Sequence, residues 1–196
     1  MKKIITIARE YGAGGRSVGK KVAEELGIAF YDRDLIAKTA QQSGIISADE
    51  VRKWEEKVPS EIGTLRSFFN FYEKPIDEQL WKSQVEVIRN IADHESCVIV
   101  GRNADYILRE FDHVLKVFIH ANERWRVKHM LEINPESDED KVRKEMRIAD
   151  KARENYCSKF TGQVYGKSDN YNLTIDTGFF SFDEAAKMIV RAAEKI

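Results

Sequence analysis

The strongest constraint on the fold of this chain is a set of five short apolar, β-branched runs: "KIITIA" at 3–8, "IAFYD" at 28–32, "SCVIVG" at 96–101, "LKVFIH" at 115–120 and "NLTID" at 172–176. Their apolar residues fall on consecutive positions, so each run predicts a strand covered on both faces. The stretches between them have helical periodicity. Val18, Val22, Ala23 and Leu26 recur on one face and stop at Gly27, a residue suited to the left-handed turn that ends helices. Leu80, Val87, Ile88 and Ile91 mark a helix before the third strand. Ser181-Phe182-Asp183-Glu184 reads as a capping box, followed by Ala186, Ile189, Val190 and Ala193 along the same side as Phe182. Strands alternating with helices predict an α/β fold, a doubly wound sheet of about five parallel strands, whose ligands bind at the carboxyl ends of the strands.

A chain of 196 residues fits one domain spanning 1–196. Two regions depart from the alternation. Residues 33–95 begin polar and helical and become aromatic at Phe68, Phe69, Phe71 and Tyr72, as expected of a helical excursion on the acceptor side of a site. These rings cannot share one face, so part of the stretch is expected to cover the acceptor site, meet a second subunit or form a small local core; a homo-oligomer is left open. Residues 134–170 are densely charged and contain no core-type strand, which suggests a lid.

With 32 basic against 33 acidic residues the chain has no net attraction for nucleic acid or for a membrane surface, so an anion must be met by local clustering. Two cysteines, Cys97 and Cys157, are too few for a disulfide framework and lack metal-ligand spacing. The apolar run after Met1 ends at Ala8, far too soon for a signal peptide or membrane span, and a cytoplasmic protein is expected.

That clustering begins at "IAREYGAGGRSVGKK", residues 7–21, between the first strand and the first helix. Gly12, Gly14 and Gly15 let successive backbone N–H groups converge on an oxyanion, and the helix adds its positive end. The pattern G-x-x-x-x-G-K is met literally by Gly14 to Lys20, but this puts Lys20 well inside the helix and Lys21 where a hydroxyl residue belongs. Measured from the end of the strand, the turn is instead Gly12, Ala13, Gly14, Gly15, Arg16 and Ser17, and this register is adopted.

Other charged residues fall at the same edge. Asp32 and Asp34, flanking Arg33 after the second strand, suit water-mediated magnesium binding or acceptance of a sugar's hydroxyls, and equally suit helix capping. Arg102 follows the third strand, where an arginine commonly meets an anion. Arg124, Arg126 and Lys128 open a helix after the fourth strand, and Arg147, Asp150, Lys151 and Arg153 are spaced to share a helical face.

In the adopted register the chain resembles the cytidylate kinases, whose loop reads G-x-S-G-x-G-K-G-T: Arg9 stands at the opening glycine, Gly15 at the lysine, and Arg16-Ser17 at Gly-Thr. It is similar over nearly its whole length to the cytidylate kinase-like family, with "ITIAREYGAGG" at 5–15, "FYDRDLI" at 30–36, "VIVGRNADYIL" at 98–108, "VFIHANERWRVKHM" at 117–130 and "DNYNLTIDT" at 169–177. The resemblance implies a P-loop NTPase-type fold, ATP and Mg²⁺ as cofactors, and transfer of a phosphoryl group to a small phosphorylated acceptor, a nucleoside monophosphate such as CMP or dCMP. Arg102 then matches the arginine that reaches the acceptor, with Asn103 where relatives carry aspartate and Asp105 in the same "GRNAD" stretch. Arg126 matches a donor-side arginine, and Arg147, Asp150 and Arg153 match a lid motif. On this reading Arg16, Arg102, Arg147 and Arg153 neutralise the transferred charge, the loop holds the nucleotide, and Ser17 and Asp32 face the metal. Two alternatives stay open: a kinase of another small metabolite, and a nucleotide-binding regulatory module without transfer activity, suggested by the missing loop lysine.

Overall fold

The computed structural model describes residues 2–32 and 78–196. Arg33, Asp34 and the aromatic residues Phe68, Phe69, Phe71 and Tyr72 lie outside the described residues. The five apolar runs form five strands: β1 (Ile4–Arg9), β2 (Ala29–Tyr31), β3 (Cys97–Val100), β4 (Val114–His120) and β5 (Leu173–Asp176). They pair in the order β2-β3-β1-β4-β5, and every pairing is parallel. Each strand lies within about a residue of the run that predicts it, but only the inner strands match the expected cover on both faces: β1 and β3 are buried along almost their whole length, whereas the edge strands β2 and β5 are partly covered because each has a neighbour on one side only.

The helices of the described residues are α1 (Gly15–Leu26), α2 (Glu78–His94), the single turn α3 (Ala104–Ile107), α4 (Glu123–Ile133), α5 (Glu139–Thr161) and α6 (Phe182–Ala192). The pleat divides the core between two faces. Ile5, Ile7, Val98, Val100, Val117, Ile119 and Ile175 point to one side, where Val18, Val22, Ala185, Ala186 and Ile189 of α1 and α6 cover them. Ile4, Cys97 and Ile99 point to the other, against Val87, Ile88 and Ile91 of α2 and Ile107 and Leu108 at α3. The sheet is therefore doubly wound, as the alternation of strands and helices requires. No helix of the described residues is long and apolar enough to cross a membrane.

The charged stretch 134–170 contains α5, a helix of 23 residues capped by the Asp138 side chain and ended by Gly162. Its sequence hides a thin apolar stripe: Val142, Met146 and Ala149 are buried together with Tyr11 and Val127. The four charged residues read as one face do not share it. Arg147 and Arg153 are six residues apart, about 120° around a helix of 3.6 residues per turn, so the Arg147 side chain is 74% exposed and that of Arg153 only 16%.

The capping box at α6 forms as its sequence implies, with Ser181 Oγ accepting from Glu184 N and the Glu184 carboxylate accepting from Ser181 N. Ser181→Ala is expected to cost about 1 kcal/mol, or roughly 2–4 °C in Tm, measured by thermal denaturation. A second prediction concerns Asp105, 7% exposed at α3. Burial pushes its carboxyl up to about 6 against the pull of nearby backbone N–H groups and Lys116. The folded chain thus holds this proton more tightly than the unfolded one, where an aspartate titrates at about 4. The stability due to this group is complete below pH 4 and is lost as the pH rises through about 6. Asp105→Asn is expected to match the wild type in urea denaturation near pH 4 and to exceed it by about 1–3 kcal/mol at pH 7.5.

Candidate functional site

In a sheet of this order the chain leaves β1 for one edge and later crosses to the other, so the crevice lies at the carboxyl end of β1, between β3 and β4. The turn of residues 10–14 occupies that crevice. Gly12 and Gly14 have φ of 76° and 75°, and Gly14 is the cap from which α1 starts. Gly14 has a second reason to be glycine, because a Cβ there would lie 2.2 Å from the Phe182 ring.

Three carbonyl groups of this turn, those of Tyr11, Gly12 and Ala13, are held by scaffold side chains, while Glu10 O accepts from Ala13 N at 3.4 Å within the turn. Tyr11 O accepts from Arg126 Nη1 at 3.0 Å, Gly12 O from His129 Nδ1 at 2.8 Å, and Ala13 O from Thr177 Oγ1 at 2.8 Å. Gly14 O accepts the first helical bond, from Val18 N. A peptide unit whose carbonyl is fixed outward presents its N–H inward. The N–H groups of Gly12 and Gly14 make no hydrogen bond to the described residues, and those of Gly15 to Ser17 precede the first helical donor. The turn is a concave set of donors at the positive end of α1, the geometry that binds a phosphate.

A charged cluster braces the turn from the side of α4 and α5. Asp150 accepts from Tyr11 N at 2.7 Å, from Arg126 Nη1 at 2.5 Å and from Arg153 Nη1 at 3.4 Å. Arg126 is buried and also lies 3.5 Å from Glu10, whose carboxylate accepts from Ala121 N. Arg153 Nη1 donates to Arg9 O, and the Tyr165 hydroxyl both donates to Arg9 O and accepts from Arg9 N. Burial pushes the Tyr165 phenol up to about 12, so it keeps the proton it donates.

At the β2 end, Arg16 Nε and Nη2 lie 2.8 and 2.7 Å from Asp32 Oδ2, the arginine half-exposed and the aspartate buried. Ser17 is exposed on the first turn of α1. At the end of β3, Gly101, Arg102 and Asn103 have φ of 82°, 61° and 51°. Three consecutive left-handed residues, two of them not glycine, store strain that the surroundings must hold in place. Part of the brace is Gln84 of α2, whose amide donates to Arg102 O at 3.0 Å and to Tyr156 Oη at 2.7 Å. Tyr156 in turn packs on Trp81 and Phe160. The Asn103 side-chain nitrogen is buried and makes no hydrogen bond to the described residues.

The structure therefore brings Gly12, Ala13, Gly14, Gly15, Arg126, Asp150 and Arg153 together at the turn. Arg16, Ser17 and Asp32 lie beside it at β2, and Arg102, Asn103 and Asp105 at the end of β3. Arg147 stands apart, paired with Glu123 on the outer side of α5. Lys20 is exposed inside α1, and Lys21 pairs with Asp183. Sequence reasoning missed Glu10, His129, Thr177, Gln84, Tyr156 and Tyr165. Each acts through hydrogen bonds to segments distant in the sequence, which leaves no local pattern. Among the described residues no three His, Cys, Asp or Glu side chains gather into a metal-binding group.

Comparison with known proteins agrees with this geometry. Among the solved structures, a protein from Eubacterium ventriosum ATCC 27560, described as uncharacterized, is 26% identical with a TM-score of 0.77, covering 100% of both chains. Shikimate kinase from Acinetobacter baumannii, in complex with shikimate, is 16% identical with a TM-score of 0.53 over 100% of this chain and 94% of its own. A gluconokinase from Sinorhizobium meliloti 1021 is also 16% identical, with a TM-score of 0.53 over 99% of this chain and 94% of its own. These likenesses show the fold, an α/β sheet of the P-loop type. No curated protein matches the sequence. The model of the cytidylate kinase-like family matches residues 4–178, and the chain belongs to that family.

Proposed function

We propose that the chain is an ATP-dependent kinase that transfers a phosphoryl group to a small phosphorylated acceptor, with a nucleoside monophosphate such as CMP or dCMP as the expected acceptor. The observation that carries this reading is the turn after β1, in which the carbonyls of Tyr11, Gly12 and Ala13 are held by scaffold side chains and the N–H groups of Gly12 and Gly14 make no hydrogen bond to the described residues, so that they would meet a polyphosphate. Phosphoryl transfer asks little covalent chemistry of a protein; positioning and charge neutralisation suffice. The turn and the start of α1 would hold the donor phosphates. Arg153 at the turn, Arg16 beside it and Arg102 at the end of β3 would neutralise charge on the transferred group. Arg102 and the buried Asn103 amide would meet the acceptor at the β3 end.

The oxygen donors nearby fit Mg²⁺ in kind, since a small hard cation takes carboxylate and hydroxyl oxygens and retains water. Ser17 and Asp32 would hold it, and when bound it would draw charge off the donor phosphates. Asp32 is meanwhile kept in place by Arg16. Residues 134–170 would serve as the lid, with Asp150 and Arg153 on its inner side.

One observation favours a second reading, a kinase of a different small metabolite. At residue 103 an amide donor stands where the cytidylate kinases carry a carboxylate, so the group it meets must be a hydrogen-bond acceptor.

Thermal shift with ATP and a panel of acceptors tests both readings. A ligand at 100 times its Kd stabilises the native state by about 2.7 kcal/mol, a shift of roughly 5–10 °C for a chain of this size. CMP or dCMP should give such a shift and be phosphorylated. A metabolite lacking the base that shifts Tm while CMP and dCMP do not would favour the second reading, and no shift with any nucleotide would sink both. The register of the turn has its own test. Arg16→Ala is expected to weaken ATP binding or transfer by about 1.5–3 kcal/mol, the worth of a charge-assisted hydrogen bond, and Lys20→Ala far less. Affinity and turnover of both variants, with folding checked by circular dichroism, decide it.

A further inference from the structure

The turn lacks the lysine that usually enters a phosphate loop, and the structure gives a physical account of what took its place. Gly15 stands at that position. A Cβ built on Gly15 would lie 2.6 Å from Arg9 Cβ and 2.9 Å from Arg9 Cγ, so the stem of Arg9 occupies the space in which a side chain at residue 15 would start. Further out, a Cβ on Gly101 would lie 2.1 Å from Arg9 Nη1. One arginine thus leaves the last residue of β1, passes over the first turn of α1 and brings its guanidinium to the carboxyl end of β3. Glycine at 15 is what makes room for its stem, and Gly101, at φ of 82°, lies against its tip.

The backbone of Arg9 is also unusually well fixed for a residue at the end of a strand. Its N–H is accepted by the Tyr165 hydroxyl at 3.1 Å, and its carbonyl accepts from that hydroxyl at 2.8 Å and from Arg153 Nη1 at 3.1 Å. These bonds set where the side chain begins. The steric relation with Gly15 then makes the two positions exclusive: a side chain at 15 and an arginine at 9 cannot both be accommodated without displacement.

We propose that Arg9 is the phosphate-binding cation of this loop, reaching the donor phosphates by the route a lysine at residue 15 would take. This rests on the nucleotide-binding reading above and deepens it. The consequence is chemical as well as steric. A guanidinium binds two phosphate oxygens in one plane and keeps its charge at any physiological pH, whereas an ammonium acts as a point charge. Arg16, half-exposed and held on Asp32, then adds a second positive charge to the phosphates from the β2 side of the site.

The test is to exchange the cation between the two positions and measure the Kd for ATP and for inorganic tripolyphosphate by calorimetry. Arg9→Ala is expected to weaken both ligands at least about tenfold, the range of a lost charge-assisted contact. Arg9→Lys should retain part of the affinity, and the double variant Arg9→Gly with Gly15→Lys should bind both ligands more tightly than Arg9→Gly alone, because the lysine then has its route. Circular dichroism and Tm check folding; if Arg9→Ala fails to fold, the lysine variant and the double variant carry the decision. Wild-type affinity in Arg9→Ala, or a double variant no better than Arg9→Gly, overturns the assignment while leaving the kinase reading intact. A wild-type chain that binds neither ATP nor tripolyphosphate overturns both.

Discussion

The site depends on hydrogen bonds that point away from it. Tyr11, Gly12 and Ala13 each give their carbonyl to a side chain of a different segment: Arg126 and His129 from α4, and Thr177 just after β5. A glycine-rich turn left to itself samples many conformations, and ordering it costs backbone entropy of about 1–2 kcal/mol per residue. Three outward bonds offset that cost before any ligand arrives. An anion meeting the inward N–H groups then finds donors already aimed, which is the source of strength in a preorganised electrostatic site.

The same turn is coupled to the long charged helix. Asp150 binds Tyr11 N and Arg126 at once, and Arg153 reaches back to Arg9 O. Charge-assisted bonds of this kind are each worth about 1.5–3 kcal/mol when partly shielded from water. The outer side of α5 is built differently: Arg143 and Arg147 pair with Glu123, and Arg143 also with Glu139, in exposed contacts that contribute little. One helix therefore has a tightly bound inner side at the loop and a weakly bound outer side in solvent. The two arginines of the expected lid motif are divided between them.

Much of this was legible in the sequence. The five strands, the end of α1 at Gly27 and the capping box at Ser181 follow from patterns confined to a few neighbouring residues, and local physics decides them. The position of the turn was legible too, since α1 begins at Gly15 and leaves Lys20 inside it. The supports were not. Thr177 and Ala13 meet only because β5 lies beside β4, and Tyr165 reaches Arg9 only through the full course of α5. The shared face expected for Arg147 and Arg153 failed because spacings chosen pair by pair do not add up around a helix. Arg9 was visible as a departure from the loop pattern, and Gly15 as another. That the two are one steric event shows only once β1 and α1 are packed together.

The central claim is that the N–H groups of this turn receive the donor phosphates. Amide nitrogen and proton chemical shifts of Gly12, Gly14 and Gly15, followed by NMR as ATP is titrated, test it most directly. The account predicts that these three amides shift far more than the glycine amides at Gly27 and Gly162, which end α1 and α5, and that tripolyphosphate alone reproduces the change. Saturable ATP binding with Gly12, Gly14 and Gly15 unmoved would contradict it.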